Sequence, residues 1–275
     1  MKRHSSSALR LWEGVGLISP PLDTDLTRRV AFRTAALVLL AAGPQAALAA
    51  PRTYIVGSTA TGVPFSFIDV KTDTLVGAMV DIMKAIAADA GFPIDLRLTA
   101  FGALIPSLTT RKIDIIAAAM LKTPERAKVV DFSDPVYAYG AGIVIPSRSG
   151  RTYRSIEDLR GLTVGVQVGT RFYDQLKTAG VREIKTYDNL MEMLGDLSVG
   201  RIGAAYGDEP IFAYQVSQAR IQSARVAAEF RPPSVEDVCL VVRKGDTDLL
   251  ARINASIQRL KATAIASILN RWGLH

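Results

Sequence analysis

From Arg52 onward, short runs of strand-forming apolar residues alternate with segments whose apolar residues fall at helical spacing, and this alternation limits the fold more than any other feature of the chain. Strands separated by helix-length connections pair in parallel, so the pattern predicts an α/β protein with mostly parallel sheets flanked by helices. Residues 53 to 58 read as the first strand. Met79, Ile82, Met83, Ile86 and Ala90 then share one helical face over residues 77 to 90, and Gly91 with Pro93 supplies the stop. Ile94, Leu96 and Leu98 alternate with Asp95 and Arg97, the pattern of a strand with one wetter face. A helix over 102 to 111 and an apolar strand over 113 to 118 follow, and Pro124 stands where the first turn of another helix accepts it. Residues 141 to 145 form a further strand.

The run Pro146-Ser147-Arg148-Ser149-Gly150 is a turn-rich break and marks a crossing between lobes, after which the alternation restarts. Ser155 with Asp158 three residues on reads as a helix N-cap. Strands are expected at 163 to 167, 183 to 187, 203 to 207 and 238 to 243. Helices are expected at 172 to 178, 189 to 199, 210 to 219 and 247 to 272, the last broken near Thr263. One internal echo links the halves. Arg111-Lys112-Ile113-Asp114-Ile115-Ile116-Ala117 and Gly200-Arg201-Ile202-Gly203-Ala204-Ala205-Tyr206 each run from a helix end through a basic residue and an isoleucine into a buried strand. Two lobes of similar construction, facing each other across a cleft, would carry such an echo.

The N-terminus stands apart. Arg28, Arg29 and Arg33 precede an apolar run from Ala35 to Ala42, and Ala47-Leu48-Ala49 has the small-x-small form that a signal peptidase cleaves, so residues 1 to 49 read as a leader and signal peptide. Thr27-Arg28-Arg29 is similar to a twin-arginine signal, although Phe32 stands one place late. The apolar run is far shorter than the roughly 20 residues that span a bilayer, so the exported protein is expected to be soluble and periplasmic.

Charge and rare residues exclude whole classes of function. The formal net charge is +7, but the first 49 residues hold 6 Lys/Arg and 3 Asp/Glu, leaving 27 against 23. That excess is too mild, and too little interleaved with aromatics, for a nucleic-acid partner. Cys239 is the only cysteine and its apolar neighbours place it in a buried strand. His4 and His275 are the only histidines, so a His-based triad or a His/Cys zinc cluster is excluded from the body of the protein, and no metal or cofactor is expected.

The run from Thr123-Pro124-Glu125-Arg126 through Asp131-Phe132-Ser133-Asp134-Pro135-Val136-Tyr137 resembles the signature of the family 3 periplasmic solute-binding proteins, which serve polar amino-acid ABC transporters. Further matches follow in order: Val63-Pro64-Phe65, Val76-Gly77, Leu104 to Leu108, Lys112-Ile113-Asp114, Asp158-Leu159-Arg160-Gly161, Val164 to Thr170, and Gly207-Asp208-Glu209. The resemblance spans about residues 52 to 273. It implies a two-lobed, type II binding-protein fold whose lobes are joined by two hinge strands, with lobe 1 at 50 to 145 plus 241 to 275 and lobe 2 at 146 to 240. It also implies a monomer that traps a small ligand by hinge closure and hands it to a membrane permease.

The same resemblance assigns the site. Arg126 takes the ligand carboxylate, which suits a planar guanidinium able to form two parallel hydrogen bonds. Taken alone, Arg126 would be a surface arginine in a helix's first turn. Gly169 and Thr170 end a strand where free N–H groups meet an anion, Asp208 takes the ligand ammonium unless it merely caps the next helix, Phe101 forms an apolar wall, and Ala119 offers a carbonyl. Arg171 stands where relatives carry a second hydroxyl residue, and either adds charge or faces solvent. Leu121 replaces a hydroxyl residue, Gly102 an aspartate, and Gly62 a stacking aromatic, which makes the pocket less polar and roomier. Three functions fit: a transport receptor, a cyclohexadienyl (arogenate/prephenate) dehydratase-like enzyme using Asp208 or Glu209 as proton donor, and a sensor that docks on a separate membrane receptor.

Overall fold

The protein is described by a computed structural model covering residues 51–217 and 222–274. The expected signal peptide and residues 218–221 lie outside the described residues.

The first strand, β1 (Tyr54–Ser58), leads through a small antiparallel sheet of β2 (Thr61–Gly62), β3 (Ser66–Asp69) and β4 (Thr74–Val76) into helix α1 (Ala78–Ala90). The small sheet has no counterpart in the sequence expectations, because strands of two to four residues are too short to show a period. Helix α1 buries Met79, Ile82, Met83 and Ile86 as their spacing predicts, and Ala90 is half-buried at its end. Gly91 closes it at φ 69°, with its N–H on Ala88 and that of Phe92 on Ala87, the paired bonds of a Schellman end. At the other end Gly77 has φ 128°, and a Cβ there would strike the Phe65 carbonyl.

Strand β5 (Ile94–Leu98) follows, then a 3-10 turn at Phe101–Ala103, α2 (Leu104–Thr109) and β6 (Ile115–Leu121). The helix expected over 102 to 111 is thus shorter. The hydroxyls of Thr109 and Thr110 turn back onto the Pro106 carbonyl, and Arg111 takes φ 63°. The strand expected over 113 to 118 starts later and runs further, since Met120 and Leu121 pair with Cys239 and Val238. Next come α3 (Pro124–Ala127), β7 (Val130–Phe132) and β8 (Tyr137–Pro146), a strand longer than the expected 141 to 145.

Ser155 opens only a 3-10 turn, Ile156–Leu159, with the Asp158 carboxylate accepting from its N–H at 3.0 Å. Then follow β9 (Thr163–Gln167), α4 (Phe172–Thr178), β10 (Glu183–Tyr187), α5 (Leu190–Ser198), β11 (Ala204–Asp208), α6 (Glu209–Ser217), β12 (Ala224–Val226) and β13 (Val235–Arg243). Helix α7 (Thr247–Leu260) passes through a π turn at Lys261–Ile265 into α8 (Ala266–Arg271), placing the break where the sequence expects it.

The main sheet runs β10-β9-β11-β8-β13-β6-β1-β5. Strand β1 is parallel to β5 and β6, and β9 is parallel to β10 and β11, while β8 and β13 run antiparallel to their neighbours. Each half therefore has the same order: its first strand central, its second at the outer edge, its third inside, and a long antiparallel strand from the chain's other traverse. Both long strands change partners along their length. Tyr137 to Gly140 of β8 face β13, whereas Ala141 to Val144 face β11.

Candidate functional site

In an α/β sheet, loops at the C-terminal ends of parallel strands are where ligands meet the protein, and here both halves send their third strand toward the same place. Strand β6 is bulged: Met120 pairs with Cys239 and Ile116 with Val241, so three residues of β6 stand against Leu240 alone. Within this bulge Ala119 takes φ 50°, a conformation costly for a residue with a Cβ. Its carbonyl comes to 3.3 Å from the Tyr139 hydroxyl. In the other half, β11 runs straight and ends in Asp208.

Arg126 belongs to the short helix α3, which Thr123 caps by accepting the Arg126 N–H at 3.2 Å. Its guanidinium donates to the Leu121 carbonyl at 2.7 Å and to the Gly169 carbonyl at 3.1 Å, and lies over the Phe101 ring at 5.7 Å. Gly169 is thus engaged through its oxygen. It has φ 76°, and a Cβ there would lie 2.7 Å from the Gly102 Cα, so two glycines allow the halves this close an approach. Desolvation draws the Arg126 pKa below its usual value against the pull of Asp208. The guanidinium stays charged.

Thr170 is buried, and its hydroxyl donates to the Gln167 carbonyl at 2.7 Å. Arg171 does not face solvent. Its side chain is 11% exposed, lies over the Phe172 ring and forms an ion pair with Glu236 of β13. Asp208 accepts the Tyr139 hydroxyl at 2.5 Å. Desolvation pushes its carboxyl upward in pKa, opposed by that hydrogen bond and by the positive charges of Arg171 and Arg126.

These side chains converge. Phe101, Ala119, Leu121, Arg126, Thr170, Arg171 and Asp208 line one cavity of about 10 Å³ together with Phe172. Phe101, Ala119 and Asp208 also line a neighbouring cavity of about 20 Å³, whose far side is Thr59, Gly62, Ser66 and Gln167. Each has room for about one water. A larger hollow, about 720 Å³, is lined by Arg126 and residues of α3 and α4 and carries Glu125, Glu157, Asp174 and Glu236. Among the described residues no group of three or more His, Cys, Asp or Glu side chains is arranged to hold a metal ion.

Tyr139 and Glu236 are site residues that the sequence reading missed. They are register partners where β8 meets β13, so their side chains share a face of the sheet and reach Asp208 and Arg171. The one signal available was Tyr137-Ala138-Tyr139, whose alternation puts both tyrosines on one side of a strand.

The pattern that defines the bacterial extracellular solute-binding proteins, family 3, matches residues 54–275. The chain belongs to this family. This solute-binding protein is 29% identical over 223 residues to the L-cystine-binding protein TcyJ of Escherichia coli (strain K12), covering 80% of this chain and 82% of that one. It is 30% identical over 244 residues to the putative ABC transporter arginine-binding protein 2 of the same strain, covering 86% and 97%. Among solved structures, the ancestral amino acid-binding protein AncCDT-1, a precursor of cyclohexadienyl dehydratase, superposes with a TM-score of 0.73 at 31% identity, covering 80% of this chain and 95% of that one. The two-lobed fold expected from the sequence is the fold of these relatives. Among the described residues, no helix of this solute-binding protein is long and apolar enough to cross a membrane.

Proposed function

We propose that this chain is the substrate-binding component of an amino-acid ABC transporter, closing its lobes around an amino acid or a close analogue without transforming it. The single observation that carries the reading is the reach of Arg126: its guanidinium contacts Gly169 of the opposite half while sharing a cavity with Asp208. A ligand carboxylate displaces those carbonyls from the guanidinium and takes two parallel bonds in their place. The ligand ammonium goes to Asp208 and the Ala119 carbonyl, and its side chain extends past Phe101 toward Thr59, Gly62 and Gln167.

Charge balance supports a zwitterion. Arg126 and Arg171 face Asp208 and Glu236 around the cleft, so a ligand with no net main-chain charge leaves no buried charge uncompensated. The lobes are residues 50 to 145 plus 241 to 275, and 146 to 240, moving about the paired segments of β8 and β13. A ligand held by both lobes at once selects the closed arrangement. We further propose export through cleavage after Ala49, a periplasmic location, action as a monomer, and delivery to a membrane permease.

The experiment is a thermal-shift screen of the secreted protein against amino acids, their analogues, and prephenate and arogenate, because a ligand that binds only the folded state raises its melting temperature. A shift with one amino acid that disappears in Arg126→Ala supports the receptor. The precursor relationship of AncCDT-1 makes the dehydratase the second reading. A shift confined to the cyclohexadiene acids, with product formed, replaces the receptor by that enzyme.

A further inference from the structure

Tyr139 has no part in the proposed clamp, yet its hydroxyl lies among the groups that form it. The ring is 6% exposed and stacks on Phe65, with centroids 5.5 Å apart and planes at 26°, so it is held in place. The hydroxyl donates to the Asp208 carboxylate at 2.5 Å and stands 3.3 Å from the Ala119 carbonyl. Those are the two acceptors that the proposed function gives to a ligand ammonium. The residue also sits on the stretch of β8 that pairs with β13, two positions before Ala141, the register partner of Asp208. It therefore reaches both halves from the strand that joins them.

An ammonium and this hydroxyl cannot share the site as it stands. Three acceptors around an ammonium need to be well separated, whereas the Tyr139 oxygen is 2.5 Å from one of the other two, and the adjoining cavity has a volume of about 20 Å³. We propose that Tyr139 is a built-in competitor for the ammonium position: its hydroxyl satisfies Asp208 when the lobes close without ligand, and an α-amino acid binds only by taking Asp208 from it. This rests on the amino-acid reading above and adds a determinant of affinity and specificity. A charge-assisted bond between Tyr139 and Asp208 favours the closed, unliganded protein and lowers affinity for every α-amino acid. A carboxylic acid lacking the ammonium leaves that bond intact and meets no competition, so Tyr139 narrows the preference for amino acids over their deaminated analogues.

Tyr139→Phe isolates the hydroxyl, because the ring keeps its packing on Phe65; circular dichroism and a melting curve check that the variant folds. Two readings follow from the same protein. Small-angle scattering without added ligand should show Tyr139→Phe more open than wild type. Calorimetric titration should show the variant binding its α-amino acid about 10- to 100-fold more tightly, the range expected for removing one charged hydrogen bond from the competing state, with no gain for the deaminated acid. Equal scattering profiles for the two proteins, or weaker amino-acid binding by the variant, would overturn the proposal. If neither protein binds any α-amino acid, the amino-acid reading falls by itself. The scattering comparison still decides whether Tyr139 holds the lobes together.

Discussion

The two halves of the main sheet have one topology and hold it by different means. At the entry of β6, Asp114 is buried and accepts from Arg52 at 2.8 Å, Arg243 at 2.9 Å and the Ile55 N–H at 2.9 Å. At the matching entry of β11, in the echoed sequence, stands Gly203, packed against the Leu162 side chain. The strand exits differ as well: β6 bulges and offers carbonyls, while β11 ends in a carboxylate. Topology alone therefore does not dictate the interactions that secure it. The half that carries Arg126 buries its carboxylate, Asp114, within the entry of the strand, whereas the half that carries Asp208 has apolar contact at that position and keeps its ion pairs beside it, where the exposed Lys185 and Arg201 meet Asp196.

The largest effect that would test this contrast is on stability. Asp114→Ala leaves Arg243, whose side chain is 12% exposed, with only the more distant Asp246 carboxylate at 3.6 Å, and should lower unfolding free energy by about 3 kcal/mol. Urea denaturation measures it, and a loss near zero would mean that the network is decorative.

The pH dependence of stability should separate the halves by sign. Burial raises the Asp114 pKa, but the Ile55 N–H and Arg243 outweigh it and hold the carboxyl below its ordinary value. Folding therefore releases protons there, so its stabilisation is complete above the ordinary carboxylate pKa and lost as pH falls through the lowered one. Asp208 is shifted upward by desolvation, so the folded protein holds that proton longer. Its contribution is complete below the ordinary value and lost as pH rises through the raised one. Melting curves against pH should steepen on the acid side because of Asp114, and Asp208→Asn should remove a loss that appears on raising pH.

A smaller effect tests the echo itself. Arg111 and Gly200 occupy equivalent helix ends with φ 63° and 78°, and no atom lies within 4 Å of where a Gly200 Cβ would be. Arg111→Gly should stabilise the protein by about 0.5–1 kcal/mol and Gly200→Arg should cost about as much, since only the left-handed backbone is involved. The smallest effect is chemical. Cys239 is fully buried in β13 and its thiol is pushed up to about 12 by burial, so a thiol reagent should leave the folded protein unmodified and react only after denaturation.

Much of this was legible in the residues. Strands β9 and β10, helix α4 and the break near Thr263 fall where periodicity puts them, because each is long enough to show its pattern and ends at a turn signal. The segments where β8 and β13 pair were not: the two strands are recognisable from Ala141 and Val238 onward, but Tyr137 to Gly140 and Val235 to Asp237 carry polar and small residues where the strands exchange partners. In the site, the residues assigned by resemblance other than Gly169 line one cavity, and Gly169 meets Arg126 beside it through its carbonyl, yet Tyr139 and Glu236 reach partners 69 and 65 positions away, and spacing says nothing about such contacts.

The most direct test of the receptor is a calorimetric titration of the amino acid selected by thermal shift into wild type and Arg126→Ala. Loss of the paired charged bonds to the carboxylate should weaken binding at least about 100-fold in a variant whose circular dichroism spectrum shows it folded. Binding retained within about threefold would show that Arg126 does not hold the carboxylate and would contradict the account.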